Sequence, residues 1–415
     1  MPLSMEHRKA VTREMHRAYR RASKKEKGVI LDHFVELTGH NRAYAARILL
    51  RTPKELPRTK TVRKRPRVYG PEVLLPLRKI WATLDTACGK RIAPALPEMC
   101  EVMERFGELS LSDDVRAKLH SISAATIDRL LAPDRASVTL RGRAMTKPGT
   151  LLKSQIPIRT WADWDDSRPG FVEIDLVGHE GGNPNGDFCQ TLDVTCVVTG
   201  WTETRAVKNK AQVWVFAALE HIAGALPFPV LGIDSDNGSE FINKHLVRYC
   251  DANEITFTRS RVGNKNDGCH VEQKNWSVVR RNVGYSRYDT PEELEVLNDL
   301  YAVLRLHTNF FMPSMTLLSK TREGSRVTRC HSAAATPYAR VVASDEVDEN
   351  AKEQLLEHYA TLNPVALKRE IWRLQQRLLE LSALKNTTRA KEVEASAFEY
   401  ISDEATNQPL EHFLT

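Results

Sequence analysis

The stretch Val230-Leu-Gly-Ile-Asp-Ser-Asp-Asn-Gly-Ser-Glu-Phe241 constrains this chain more than any other. A short apolar strand runs straight into an acidic, glycine-containing turn and then a helix, which presents carboxylates at a strand end. Alone, an Asp-Asn-Gly sequence signals only a tight turn. Its weight comes from two partners. Upstream, Phe171-Val-Glu-Ile-Asp-Leu-Val177 reads as a second strand, with Asp175 set among β-branched and aromatic residues. Downstream, Val262 to Trp276 passes from a polar glycine loop into a helix carrying Glu272, with 35 residues between Asp236 and Glu272. Each acid taken singly has an ordinary explanation, as a helix cap or a solvated side chain. Asp175 fits that explanation least, because a charge near a sheet interior is costly unless paired or metal-bound.

Strand, strand end and helix therefore carry Asp175, Asp236 and Glu272, the set that two-metal phosphoryl transfer would need. Such chemistry requires an activated oxygen nucleophile, a stabilised leaving oxygen and a nearly in-line arrangement of the two. Two Mg²⁺ ions, or Mn²⁺ in their place, need only a few carboxylates from the protein and keep several waters. Without metal the acids would repel one another.

The surrounding pattern gives an order of elements. After Phe171–Val177 come strands over 188–198 and 204–207, a helix over 211–225, a strand over 230–233, a helix over 240–250 and a strand over 254–258. Three meandering strands followed by alternating helix and strand describe an α/β core with a mixed five-stranded sheet, in the order of an RNase H-like fold. We place this core at 169–315.

Ahead of it the chain reads as all-α. Ser23-Lys-Lys-Glu26 is a capping-box pattern, Thr38-Gly-His-Asn41 breaks the helix it starts, and Asn41 caps a second helix, Arg42 to Arg51. Ala46, Leu49 and Leu50 are expected inside, with Arg42, Tyr44 and Arg47 outside. Residues 1–52 then form a helix-turn-helix, DNA-reading or merely a helical hairpin. Residues 53–71 hold Pro53, Pro57, Pro66 and Pro71 among Arg63, Lys64, Arg65 and other cations, an extended basic linker suited to a DNA backbone. Residues 72–133 repeat the short-helix plan as a second helix-turn-helix-like domain, or a plain packing domain, and 134–168 are an Arg-rich linker. Beyond the core we expect a small basic extension at 316–345, a helical region at 346–384 and a disordered polar tail at 385–415. The seam Leu367, Ile371, Leu374, Leu378 and Leu381 packs on its own chain or on a second copy.

Charge supports a polyanionic partner. Residues 1–70 contain 19 Lys and Arg against 6 Asp and Glu, so the rest of a chain of net +7 is acidic on balance. No apolar run is long enough for a membrane span, and the amino terminus lacks a secretory core, so a cytoplasmic protein without membrane contact is expected. Seven scattered cysteines without a Cys-x-x-Cys pair fit reduced thiols.

Together Ile-Asp175, Asp236-Asn-Gly-Ser-Glu-Phe and Asn-Asp-Gly-Cys-His-Val-Glu272-Gln-Lys-Asn-Trp resemble the integrase-type catalytic core of DDE transposases and retroviral integrases, and within that group the bacterial ISNCY-type insertion-sequence transposases. The resemblance covers about 165–315, and the upstream helical units are similar to that family's end-binding region. It implies that Asp175, Asp236 and Glu272 are catalytic metal ligands. It also implies cleavage at transposon ends, attack of the exposed 3′-hydroxyls on target DNA, and a bacterial, nucleoid-associated homodimer or higher oligomer on paired double-stranded ends. Asp234 shares the strand face, but the Asn-Gly after Asp236 makes Asp236 the match. Two features depart from the family. Val279 stands where many relatives carry a cation, which counts against the DNA-contacting candidates of that helix, Lys274 and Arg280, and no zinc module precedes Cys88. The loop before Glu272 offers Arg259, Arg261 and Lys265 to phosphate. An RNase H-like nuclease or resolvase, or a decayed DNA-binding regulator, are the rival functions.

Replacing Arg42 and Arg47 with alanine is expected to weaken binding to the cognate DNA ends while the catalytic domain stays folded. Unchanged affinity in a gel-shift titration would remove the recognition-helix assignment.

Overall fold

The computed structural model describes residues 4–51, 68–136, 168–235, 241, 244–259 and 269–405, with backbone alone at 5, 244–245, 269 and 386–405. The expected basic linker (but for 53–71's last four residues) and most of the 134–168 linker lie outside the described residues. The chain forms two compact units, Met1–Val68 and Tyr69–Thr415.

In the first unit, α1 (Met5–Arg21), α2 (Lys24–Thr38) and α3 (Arg42–Leu50) pack around Tyr19, Leu31, Phe34, Ala45 and Leu49. Ser23 and Glu26 form the capping box at the start of α2, and α2 ends at Gly39 with φ +68°, a conformation natural to glycine. Asn41 accepts from the Ala43 N–H and starts α3. The buried face of α3 is turned slightly from expectation: Ala45 and Leu49 are inside and Leu50 is 60% exposed. The reason is α1, whose His16 Nδ1 lies 2.9 Å from the Leu49 carbonyl oxygen.

The second unit opens with α4 (Pro71–Thr83), α5 (Gly89–Arg105), α6 (Asp113–Ser121), α7 (Ala124–Leu130) and α8 (Ala132–Ala136). Then come β1 (Phe171–Gly178), β2 (Gln190–Cys196), β3 (Thr202–Val207), α9 (Gln212–Ala225), β4 (Gly232–Ser235), α10 (Lys244–Ala252) and β5 (Thr256–Arg259). The five strands make one sheet in the order β3-β2-β1-β4-β5. β1 is antiparallel to β2 and parallel to β4, β2 is antiparallel to β3, and β4 is parallel to β5. This is the mixed sheet and strand order of an RNase H-like fold. β4 begins two residues later than the apolar run, because Gly232 is the residue aligned with Phe171.

Register sorts the sheet into two unlike faces. On one, Val172, Ile174, Leu192, Val194, Cys196 and Ile233 meet Val215, Leu219 and Ile222 of α9 in a dry core. On the other, Glu173, Asp175, Asp193, Thr195, Asp234 and Thr258 line up across four strands. That second face is the one next to α11 (Cys269–Lys274), which continues through a π-helical stretch, Asn275–Arg280, into α12 (Arg281–Val283).

The chain then runs through α13 (Pro291–Leu306), a π-helical turn His307–Phe311, the hairpin β6 (Leu317–Glu323) and β7 (Arg326–His331), α14 (Pro337–Val342), α15 (Glu349–Thr361) and α16 (Pro364–Ala405). Ile371, Leu374 and Leu378 of α16 are buried with Leu297, Leu300 and Leu304 of α13, so that seam packs on its own chain. α16 is helical as far as Ala405, where a disordered tail was expected from 385 on. The segment has no glycine or proline and is rich in Ala, Glu and Lys, which favour helix whatever their polarity.

The helices before the sheet do not stand apart from it: Leu77, Ile92, Leu96 and Leu119 belong to the same apolar core as Val172 and Leu192. Polar ties reinforce the join. Asp85 and Thr86 take positive φ of 50° and 55°, and in that turn the Asp85 carboxylate pairs with Lys368 of α16 while Arg281 donates to the Asp85 carbonyl and to Thr86 Oγ1. Nearby Glu108 accepts both Arg369 guanidinium N–H groups, at 2.8 and 2.9 Å, together with Lys79 and Asn363. Among the described residues no helix is long and apolar enough to cross a membrane.

The Arg369 hydrogen bonds hold the Glu108 carboxyl down at about 2. Its stabilising effect is full above the unfolded value of about 4.3 and is lost as pH falls through the folded one. Glu108→Gln should lower the melting temperature by roughly 3–6 °C at neutral pH, with the gap to wild type closing below about pH 4. Calorimetry showing a pH-independent gap would contradict this.

Candidate active site

Asp175 stands at the centre of β1, half-buried, directly across from Asp193 of β2. Its Oδ1 accepts the Leu176 N–H at 2.8 Å and its Oδ2 accepts the Asn275 side-chain N–H at 2.6 Å. Two donors on an ionised carboxylate fix its orientation. Asn275 lies three residues beyond Glu272, so the strand acid is tied to the helix that carries the helix acid.

A second tie lies two residues back. Glu173 is 1% exposed, and its Oε2 accepts the backbone N–H groups of His270 and Val271 at 2.8 and 3.1 Å. The first N–H groups of a helix have no intrahelical partner, and the helix dipole favours negative charge there. A buried glutamate from β1 supplies both needs. Glu272 itself, in the first turn of α11, is exposed.

Asp193 is fully buried. Thr195 Oγ1 donates to its Oδ1 at 3.0 Å, while Oδ2 has no hydrogen-bond partner. Burial, with the Asp175 charge adding to it, pushes its carboxyl up to about 8. On the next strand pair, Thr258 donates to Asp234 Oδ1 at 2.6 Å.

The expected site residues fare differently in the structure. Asp175 and Glu272 are on neighbouring, mutually fastened elements. Asp236, the residue after β4, lies outside the described residues, as do Arg261, Lys265, Arg63, Lys64 and Arg65; Arg259 is the last residue of β5. Among the described residues no three Asp, Glu, His or Cys form a ready-made metal cluster.

Lys274 and Arg280 are corrected. The Lys274 ammonium donates to the Gly200 carbonyl at 3.1 Å, and burial lowers its pKa to about 8. Arg280 donates to the Gly178 carbonyl at 2.6 Å, lies over the Tyr285 ring and has a side chain 9% exposed. Both cationic heads are spent on backbone carbonyls of the core. In the first unit, by contrast, Arg42, Tyr44 and Arg47 are exposed, with Arg42 paired to Asp32 and the Arg47 guanidinium 5.4 Å from the Tyr44 ring centroid.

Sequence reasoning missed Glu173, Asp193 and Asn275. The first carried a usable signal: it shares strand parity with Asp175 and is equally out of place in an apolar strand.

The integrase core domain family model matches residues 165–265, a span that includes Asp175 and Asp236 and stops short of Glu272. The chain is 40% identical over 340 residues to uncharacterized protein y4rM of Sinorhizobium fredii, covering 81% of this chain and 96% of that one. Solved structures similar to it include the catalytic core domain of BIV integrase, at 17% identity over 41% of this chain and 91% of that chain with a TM-score of 0.28. Another is the HTLV-2 integrase catalytic core domain in complex with magnesium, at 14% identity over 36% and 93% with a TM-score of 0.28.

Glu173→Ala should cost about 1–3 kcal/mol in chemical denaturation, since it strands two helix-end donors. Amide exchange at His270 and Val271 should quicken with it. Unaltered exchange at those two amides would show that the cap does not hold α11.

Proposed function

The chain belongs to the superfamily of DDE transposases and retroviral integrases, and we propose that it is a DNA transposase that cuts at transposon ends and joins the freed 3′ ends to target DNA. An integrase-type core places it among polynucleotidyl transferases. What carries the finer reading is the double fastening of α11 to β1, through Glu173 and through Asn275, which sets Glu272 on an element locked to the strand of Asp175.

Asp175, Asp236 and Glu272 would hold divalent metal, Mg²⁺ or Mn²⁺. An all-oxygen donor set suits a hard cation, and the unpartnered Asp193 Oδ2 beside Asp175 marks a place where the polar face is incomplete without a further group. Bound there, two such ions would lower the pKa of the attacking water or 3′-hydroxyl and neutralise the leaving oxygen.

The chain's own groups act around that chemistry. Asn275 and the Leu176 N–H keep one carboxylate of the set from rotating. Glu173 holds the first turn of α11 in place, so Glu272 approaches from a fixed direction. Asp193, whose carboxyl is pushed up by burial, stands directly across from Asp175. DNA ends would be read by α3 of the first unit through Arg42, Tyr44 and Arg47. Arg63, Lys64 and Arg65 would follow the backbone, with Arg259, Arg261 and Lys265 beside the site. A homodimer or higher oligomer would hold the two ends together.

The test is a gel assay on labelled DNA from the flanks of the gene, with Mg²⁺ or Mn²⁺, comparing wild type with Glu272→Gln. Metal-dependent cleavage and joining should fall by at least 10³-fold in the variant while binding persists. Binding with no cleavage under either metal would favour a regulator; cleavage with no joined product would favour a nuclease.

A further inference from the structure

The hairpin β6–β7 exposes every residue of both strands. A two-stranded ribbon with no apolar layer behind it is marginal in water, and this one is secured at its base. Ser314 and Ala335 exchange backbone hydrogen bonds at 2.9 and 3.0 Å, and Ser332 Oγ accepts from the Thr316 N–H and hydroxyl. Arg340 donates to the Ser314 carbonyl and hydroxyl and also to the Thr199 carbonyl in the β2–β3 turn. The next carbonyl in that turn, Gly200, receives Lys274 of α11. A short run of hydrogen bonds thus joins the base of the ribbon to the helix that carries Glu272, while its strands stand in solvent.

The two faces of the ribbon differ in charge. Lys320 is opposite Arg329 and Arg322 is opposite Val327, so these four share one face. Thr321 with Thr328, and Glu323 with Arg326, make up the other. The first face therefore carries three cations and no acid. Like charges directly across an antiparallel pair are destabilising, and among the described residues Lys320, Arg322 and Arg329 make no ion pair. Such a face gains by meeting a polyanion. A two-stranded ribbon also has the breadth that the major groove of B-form DNA admits, whereas the major groove of A-form RNA is too narrow to receive it.

We propose that β6–β7 is a DNA-binding arm, which lays Lys320, Arg322 and Arg329 against the phosphates of the duplex next to the active site. That the duplex is a transposon end or target rests on the function proposed above; that the arm binds duplex DNA does not. It would extend the DNA path beyond the catalytic face, on the side of the β2–β3 turn.

The experiment is a salt titration of affinity for a labelled linear duplex, by fluorescence anisotropy, with the full chain. For three lost phosphate contacts, the triple variant Lys320→Ala, Arg322→Ala, Arg329→Ala should reduce the slope of log affinity against log salt by about 2.7. Thr321→Ala with Thr328→Ala, on the other face, should leave the slope as in wild type. Because no side chain of the ribbon is buried, the triple variant should melt at the wild-type temperature, and a variant with 318–330 replaced by a short Gly-Ser turn should repeat its slope. An unchanged slope overturns the proposal. So does a loss confined to A-form RNA duplex or to anionic vesicles, which would assign the ribbon another partner. Glu272→Gln should keep the full slope, so a failure of cleavage and a failure of the arm give separate results.

Discussion

One buried carboxylate conditions the rest of the sheet and the helix beside it. Glu173 is enclosed on the polar face of the sheet, where a lone charge would be expensive. It is tolerated because two backbone N–H groups and the positive end of α11 are aimed at it. The dependence runs both ways: the helix end would lose an acceptor without the carboxylate, and the carboxylate would lose two donors without the helix. Position therefore follows from electrostatics together with the burial of Val271, and the elements that carry Asp175 and Glu272 are held together by both.

The same logic explains why the helices before the sheet belong to its body. A turn with two residues at positive φ is a strained thing to place at a surface, yet Asp85 and Thr86 meet cationic partners from α12 and α16. Glu108 does likewise with α4 and α16. Elements far apart in the chain converge on these two acids, so the amino-terminal and carboxy-terminal helices of the second unit brace the core jointly.

Much of the fold was legible in the sequence because it is written in local patterns. The β-branched and aromatic residues of Phe171–Val177, the capping box at Ser23 and Glu26, and the glycine break at Gly39 are all short-range signals, and each has its counterpart in the structure. The candidate site was legible as three acids in order, though one of them, Asp236, lies outside the described residues. What could not be read were the partners supplied from a distance. Lys274 and Arg280 look like surface cations on a helix until the Gly200 and Gly178 carbonyls appear beneath them. Asp193 looks like one acid in a strand until register sets it opposite Asp175. The boundary expected at 133 followed a change in composition, but an apolar core shared between Leu96 and Val172 leaves no mark in either segment alone.

The π-helical stretch Asn275–Arg280 follows the capped start of α11 and itself contains the second anchor, the buried pair Val278 and Val279. A π turn accommodates an extra residue within an otherwise α-helical run. It acts as a phase adjuster, letting the capped end and the apolar end each meet its own surface though no whole number of α turns separates them. Such a helix is sensitive to winding in a way it is not to composition. Rewinding the same residues as regular α-helix, with none removed, would turn Glu272 about the axis relative to Val279, swinging the acid away from Asp175 even with every side chain in the site intact.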